Sequence, residues 1–183
     1  MTMANRRASH RKAQGKAAGQ AHAERERHKA HGSPSMLFWT AIVIVLADII
    51  TKTIVRTILP VNQYIPVLPF FRITHFQNQG ITFGLFQYDI LRWLLVAIAL
   101  GVALAIGLSC KHHKLKSHLM AWGLIMGGAI GNAVDRIFIG TVTDFLHFGI
   151  PNTNLFWPAF NIADASLVIG AIIVIVHAWR REE

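Results

Sequence analysis

Acidic and amide side chains recur at one spacing in the second half of the chain. Asp135 lies three positions after Asn132, Asp164 lies three positions after Asn161, and Asp144 lies between the two pairs. Residues three apart on a helix share a face, one turn from each other, so each amide would accompany a carboxyl group. The pattern predicts two helix ends that bring the carboxyl groups of Asp135, Asp144 and Asp164 to one place.

Paired carboxyl groups support one particular chemistry in a site of low dielectric constant. Two such groups cannot both ionise readily, so one keeps a proton, the other stays charged, and the pair titrates as a unit. The ionised group can take a proton from water while that water attacks an amide carbonyl. The protonated group can then donate a hydrogen bond to the developing oxyanion. These residues therefore fit general acid/base hydrolysis of an amide without a covalent intermediate.

Other chemistries lack their motifs, but other roles for the carboxyl groups stay open. The sequence contains no serine nucleophile elbow, no HExxH, no Walker loop and no GxGxxG. Buried Asp and Asn can join membrane helices by hydrogen bonds, or relay protons or ions in a small coupled membrane transporter. Asp48 and Lys52 are four residues apart, which favours an ion pair with a structural supporting role.

The chain that carries these residues has the composition of a membrane protein. Apolar residues make up 53% of it and charged residues only 15%, whereas about 25% is usual in soluble domains. Its apolar segments have the length that a membrane helix requires: 36–59, 90–109, 118–134 and 160–179. The sequence predicts an all-α membrane protein with four transmembrane helices, formed by residues 36–181.

Basic residues predict the orientation of these helices. Residues 1–35 are rich in Ala, Arg, Lys and His without an apolar run, which predicts a disordered tail against anionic lipid head groups. Further cations flank the predicted helices on the same side: Lys111, Lys114, Lys116, Arg180 and Arg181. Because cytoplasmic flanks are enriched in Lys and Arg, both termini should be cytoplasmic, and segments 60–89 and 135–159 extracytoplasmic. Charge placed in this way argues against a nucleic-acid partner.

Two further patterns concern packing and local structure. Apolar and polar residues are interleaved from Phe70 to Phe76, and a second run, Ile81 to Phe86, follows Gln79-Gly80, so residues 69–86 should form a small extracytoplasmic β-hairpin. In the third predicted helix, glycines recur every four residues and so allow another backbone to approach closely: Gly123, Gly127 and Gly131.

Neither a metal site nor a disulfide is predicted. The tail histidines have no acidic or cysteine companions at ligand spacing, and Cys110 is the only cysteine. Carboxyl-group hydrolysis of an amide needs no organic cofactor. We expect a monomer that works without metal or cofactor.

The order of these residues resembles that of the lipoprotein signal peptidase family, the bacterial aspartic peptidases also called signal peptidase II. The resemblance covers residues from about 37 to 179. It rests on Asp48 and Lys52 and then on four segments: Asn78-Gln79-Gly80-Ile81-Thr82-Phe83-Gly84, GGAIGNAVDR (127–136), VTDF (142–145) and FNIAD (160–164). The first motif, Asp48-Ile49-Ile50-Thr51-Lys52, lacks the Gln that often follows the Asp in this family.

The resemblance implies an activity and a role for each matching residue. The catalytic dyad would be Asp144 and Asp164, and the residues that support it and hold the substrate would be Asn78, Gly80, Asn132, Asp135, Arg136 and Asn161. The implied substrate is a prolipoprotein whose lipobox cysteine bears diacylglycerol. Cleavage just before that cysteine would occur at the outer edge of the bacterial inner membrane, among membrane lipids. Intramembrane proteases of the presenilin or prepilin peptidase type are disfavoured because no GxGD motif occurs.

Overall fold

A computed structural model of the chain describes residues 32–80, 88–109, 115–151, 153 and 155–180. Nearly all of the predicted basic tail lies outside the described residues, and so does the predicted strand from Ile81 to Phe86. The described part is mostly helical and contains one small antiparallel sheet.

Four long helices correspond to the four apolar segments. They are α1 (Ser35–Ile58), α2 (Tyr88–Ser109), α3 (Lys116–Phe138) and α4 (Ile162–Trp179). Among the described residues, three helices are long and apolar enough to cross a membrane: α1, α2 from Asp89 onward, and α4. In the most apolar 18-residue stretch of each helix, only 22%, 17% and 17%, respectively, is buried inside the protein. Apolar side chains therefore cover the outer surfaces of these helices.

The third predicted span differs from the others in composition and position. Helix α3 has 23 residues, which is sufficient length, but Asn132, Asp135 and Arg136 lower its hydropathy. It packs against α1, α2 and α4, and eleven of its residues are buried. A helix surrounded by other helices meets little lipid, and its composition is therefore free to be more polar. It also extends to Phe138, beyond the predicted end at residue 134.

Glycines allow the close packing around α3. A side chain at Gly123 would place its Cβ 2.6 Å from the carbonyl oxygen of Leu37, and one at Gly127 would lie 2.8 Å from that of Ala41. Both contacts are with α1, which confirms the prediction that this stripe admits another backbone. On the neighbouring face, Gly128 is in contact with α4 at Ala163.

The sheet differs from the predicted hairpin. Its strands are β1 (Tyr64–Leu68), β2 (Phe71–Asn78) and β3 (Val142–Phe148), in the antiparallel order β1-β2-β3. The strand predicted over 70–76 corresponds to β2. Its described partners are β1, which precedes it in the chain, and β3, which follows α3. The prediction of a loop at Asp144 was wrong: this residue pairs with Phe76 within the sheet. Strand β3 was missed because Val142–Phe148 has no clear alternation of apolar and polar residues.

Candidate active site

Asp144 lies on β3 with 3% of its surface exposed. Its Oδ1 accepts a hydrogen bond of 2.7 Å from Nδ2 of Asn161, and its Oδ2 accepts one of 3.0 Å from Nδ2 of Asn78. Asn78 ends β2, the strand next to β3, and Asn161 immediately precedes α4. The sheet thus places the Asp144 carboxyl group against the beginning of the last helix.

Asp164 is half-buried in the first turn of α4. Its Oδ1 accepts a 2.7 Å hydrogen bond from Nδ2 of Asn132 on α3. The prediction that Asn161 shares a helix face with Asp164 was wrong, because Asn161 is the N-cap and has extended backbone angles. The two residues form a capping box: Oδ1 of Asn161 accepts from the Asp164 amide at 2.8 Å, and Oδ2 of Asp164 accepts from the Asn161 amide at 3.3 Å.

Three asparagine amides face the two carboxyl groups, and each is oriented by a donor on its oxygen. The backbone amide of Gly80 donates to Oδ1 of Asn78 at 2.8 Å. Lys52 Nζ donates to Oδ1 of Asn132 at 3.0 Å, and the backbone amide of Asp164 donates to Oδ1 of Asn161. With its oxygen occupied, each amide presents its NH₂ group to a carboxylate.

Gly80 has a backbone requirement as well as this hydrogen bond. Its φ is +100°, and a Cβ would lie 2.8 Å from Cδ1 of Leu95. Residues with a side chain rarely adopt such a conformation. Glycine at this position therefore holds the amide that orients Asn78.

The predicted ion pair between Asp48 and Lys52 is present. Lys52 Nζ lies 2.6 Å from Oδ2 of Asp48, and both side chains are completely buried. Oδ1 of Asp48 also accepts a 2.9 Å hydrogen bond from the backbone amide of Ala163, next to Asp164. The pair links α1 to α4 and leaves Lys52 in position to orient Asn132.

Asp135 and Arg136, the other two predicted supporting residues, lie at the end of α3. Oδ1 of Asp135 pairs with Nη1 of Arg56 at 2.9 Å, and its Oδ2 lies 3.6 Å from Lys52 Nζ. Arg136 is half-buried and donates to the backbone oxygen of Asn132 at 3.3 Å. Arg56 was not predicted from the sequence. Its spacing could have revealed it, because it is four residues after Lys52 and lies on the same helix face.

The environment of Asp144 raises its pKa to about 6. Burial is the main cause, since it disfavours the charged form, and the nearby charge of Asp164 acts in the same direction. Hydrogen bonds from Asn78 and Asn161 and the charge of Lys52 oppose this rise because they favour the ionised carboxylate. The carboxyl group can therefore gain and lose a proton within the pH range at which enzymes work.

Comparison with known proteins agrees with this geometry. Residues 40–180 match the family model described as Signal peptidase (SPase) II. The chain belongs to the signal peptidase II family. It is therefore an aspartic peptidase of the signal peptidase II type, and the alternative of a proton- or ion-coupled transporter is not favoured.

Individual relatives and solved structures are similar over most of their length. The chain is 37% identical over 145 residues to the lipoprotein signal peptidases of Yersinia pseudotuberculosis serotype O:1b (strain IP 31758) and Yersinia pestis (strain Pestoides F), covering 77% of this chain and 85% of each relative. A bacterial membrane enzyme solved at 2.3 Å superposes with a TM-score of 0.72 at 27% identity, covering 84% of this chain and 93% of that one. A second, solved at 1.9 Å, gives 0.71 at 28% identity, with 81% and 96% covered.

Proposed function

We propose that this peptidase removes signal peptides from diacylglyceryl-modified prolipoproteins, with Asp144 and Asp164 as its catalytic dyad. Cleavage would occur just before the lipidated cysteine. The observation that carries the proposal is the network around Asn161, which donates to Asp144 through Nδ2 and forms a capping box with Asp164. One side chain thereby ties together two carboxyl groups that come from different elements.

The chemistry follows from the two carboxyl groups and their amide donors. One carboxylate takes a proton from water as the water oxygen attacks the scissile carbonyl carbon, and the other carboxyl group donates a proton to the carbonyl oxygen. Collapse of the tetrahedral intermediate breaks the C–N bond: the carboxyl group that took the proton from water gives it to the leaving nitrogen, and the other carboxylate takes a proton back from a hydroxyl group of the intermediate. The amides of Asn78, Asn132 and Asn161 hold the carboxyl groups in place throughout, so little reorganisation is needed.

Substrate anchoring supports this assignment. A diacylglyceryl group and a signal helix would hold the scissile bond at a fixed depth in the bilayer, so proximity would contribute to the rate. We propose that α3 also crosses the bacterial inner membrane, which makes four spans with both termini in the cytoplasm. The sheet and the dyad would then lie at the extracytoplasmic face. Exposed apolar residues of β1, and Trp157 in the segment after β3, suit contact with membrane lipids there: Ile65, Val67, Leu68 and Trp157. We further propose a monomeric enzyme.

The test is cleavage of a diacylglyceryl-modified prolipoprotein by the purified protein in detergent. Asp144→Asn and Asp164→Asn should each lower kcat by at least about 1000-fold, because an amide cannot exchange the proton that the mechanism needs. Asp89→Asn is the matched control, since Asp89 is an exposed residue in the first turn of α2. Its rate should equal that of the wild type. Cleavage by either dyad variant at the wild-type rate, with its folding verified by thermal unfolding, would contradict the dyad.

A further inference from the structure

Arg56 is a charged residue of α1 that the proposed chemistry does not use. It lies in the last turn of the helix with 21% of its side chain exposed. Its Nη1 donates to Oδ1 of Asp135 at 2.9 Å and to Oγ1 of Thr143 at 3.0 Å. A single guanidinium nitrogen therefore joins α1 to both α3 and β3.

Asp135 also binds Thr143, so Arg56, Asp135 and Thr143 form a triangle of hydrogen bonds. Its Oδ2 accepts a 2.9 Å hydrogen bond from the backbone amide of Thr143, and only 3% of its side chain is exposed. A carboxyl group buried to this extent requires cations and hydrogen-bond donors around it. Arg56 supplies the nearer cation, at 2.9 Å, and Lys52 Nζ lies 3.6 Å away. A cation is also favoured at the C-terminal end of a helix. Thr143 is thus held through its backbone and its side chain.

Thr143 immediately precedes Asp144 and is completely buried. The position of β3 at this point decides whether Asp144 reaches its donors, Asn78 on β2 and Asn161 before α4. A displacement of about 1 Å in a catalytic group can lower a rate on the order of 100-fold. The triangle of Arg56, Asp135 and Thr143 lies one residue away from that group.

We propose that Arg56 is a positioning residue of this peptidase: through Asp135 and Thr143 it fixes β3 so that Asp144 keeps its hydrogen bonds to Asn78 and Asn161. The inference rests on the proposed function because it takes Asp144 as catalytic. Arg56 acts through Thr143, without contact with the reacting atoms.

The test compares Arg56→Met, Arg56→Lys and Thr143→Val with the wild type in the prolipoprotein assay. Arg56→Met should lower kcat by about 10- to 100-fold with KM changed by less than about threefold, because the loss is in the placement of Asp144. Arg56→Lys keeps the cation beside Asp135 and should recover at least part of that loss. Thr143→Val should lower kcat less, and combining it with Arg56→Met should add little, since the two residues share one contact. Arg180→Met, at the exposed end of α4, is the control and should leave kcat unchanged.

The pH profile separates positioning from a general loss of folded protein. The hydrogen bonds from Asn78 and Asn161 favour the ionised form of Asp144. The charged groups that also act on Asp144 are Asp164 and Lys52, and both remain in the Arg56 variants. Weakening those hydrogen bonds should move the limb of the kcat/KM profile near pH 6 to higher pH in Arg56→Met. Dividing each rate by the folded fraction measured at the same pH removes the contribution of unfolding from the profile.

Two results would overturn the inference. One is a wild-type kcat in Arg56→Met; the other is a reduced rate that matches the loss of folded protein, with the limb unmoved. If either occurs while Asp144→Asn is inactive, the positioning role fails and the proposed function stands. An active Asp144→Asn variant would instead contradict the proposed function itself.

Discussion

At the scale of single residues, Asp144 combines near-complete burial with two amide donors. Sequence spacing predicted that carboxyl and amide groups converge and identified Asn132 and Asn161, whereas Asn78 was named only through the family resemblance. It could not predict which atoms meet, because the orientation of each amide depends on a third group distant in sequence. Lys52, for example, orients Asn132 across 80 residues of chain. Such a contact follows from tertiary packing and leaves no local signal.

Burial of Asp144 should make the stability of the fold depend on pH. Its folded-state pKa of about 6 lies above the ordinary value of 3.8, so the folded state binds a proton more tightly than the unfolded state. The stabilisation of the folded state by this proton is complete below about pH 4. As the pH rises through 6, the stabilisation is lost and the free energy of unfolding falls by at most about 3 kcal/mol. Asp144→Asn removes the titrating group, and its unfolding temperature relative to wild type should therefore rise from pH 4 to pH 7.

Thermal unfolding of both proteins in the same detergent, at intervals of half a pH unit, measures this difference. A constant difference across the range would show that Asp144 has an ordinary pKa in the folded state. Asp89→Asn serves again as the control, because it removes an exposed carboxyl group that lies outside the site.

At the scale of elements, the helices were predictable and the sheet was only partly so. Long apolar segments identify membrane helices by length and composition, and each predicted segment overlaps an observed helix. Strand β3 is defined by its pairing with β2, more than 60 residues earlier in the chain, for example between Phe76 and Asp144. Strand formation of this kind depends on neighbours more than on intrinsic preference.

The contact between α3 and α4 should not tolerate a side chain at Gly128. A Cβ there would meet Ser166 Oγ at 2.5 Å and Leu167 Cγ at 2.8 Å. Gly128→Ala should therefore push the start of α4, with Asp164, away from Asn132. We expect destabilisation of about 1–3 kcal/mol and at least a tenfold loss of peptidase activity. Thermal unfolding and prolipoprotein cleavage measure the two effects.

Gly101 provides the matched comparison. It lies within α2, and a Cβ at this position would have nothing within 4 Å. Gly101→Ala should leave activity unchanged and stabilise the helix by about 0.5–1 kcal/mol. Equal effects of the two substitutions would mean that close packing at Gly128 does not position the site.

At the scale of the whole molecule, the proposed four-span arrangement makes a prediction about sidedness. Ser117 lies at the start of α3 and Thr153 after β3, and both are exposed. In a background of Cys110→Ser, which removes the only cysteine, Thr153→Cys should react with a membrane-impermeant maleimide in intact spheroplasts. Ser117→Cys should react only after the membrane is permeabilised. Labelling of both positions in intact spheroplasts would contradict an α3 that crosses the membrane.

The polar composition of α3 has a consequence for how the protein is made. Charged residues in a membrane helix raise the free energy of its insertion at the translocon, so a segment that carries Asp135 and Arg136 enters lipid less readily than a wholly apolar one. Helix α1 is synthesised earlier and brings Lys52 and Arg56, which pair with Asp135. Helix α4 is synthesised after α3 and brings Asp164. A nascent chain that has not yet released α4 holds only one carboxyl group of the proposed dyad, so proteolytic activity would begin only after α4 has been synthesised and inserted.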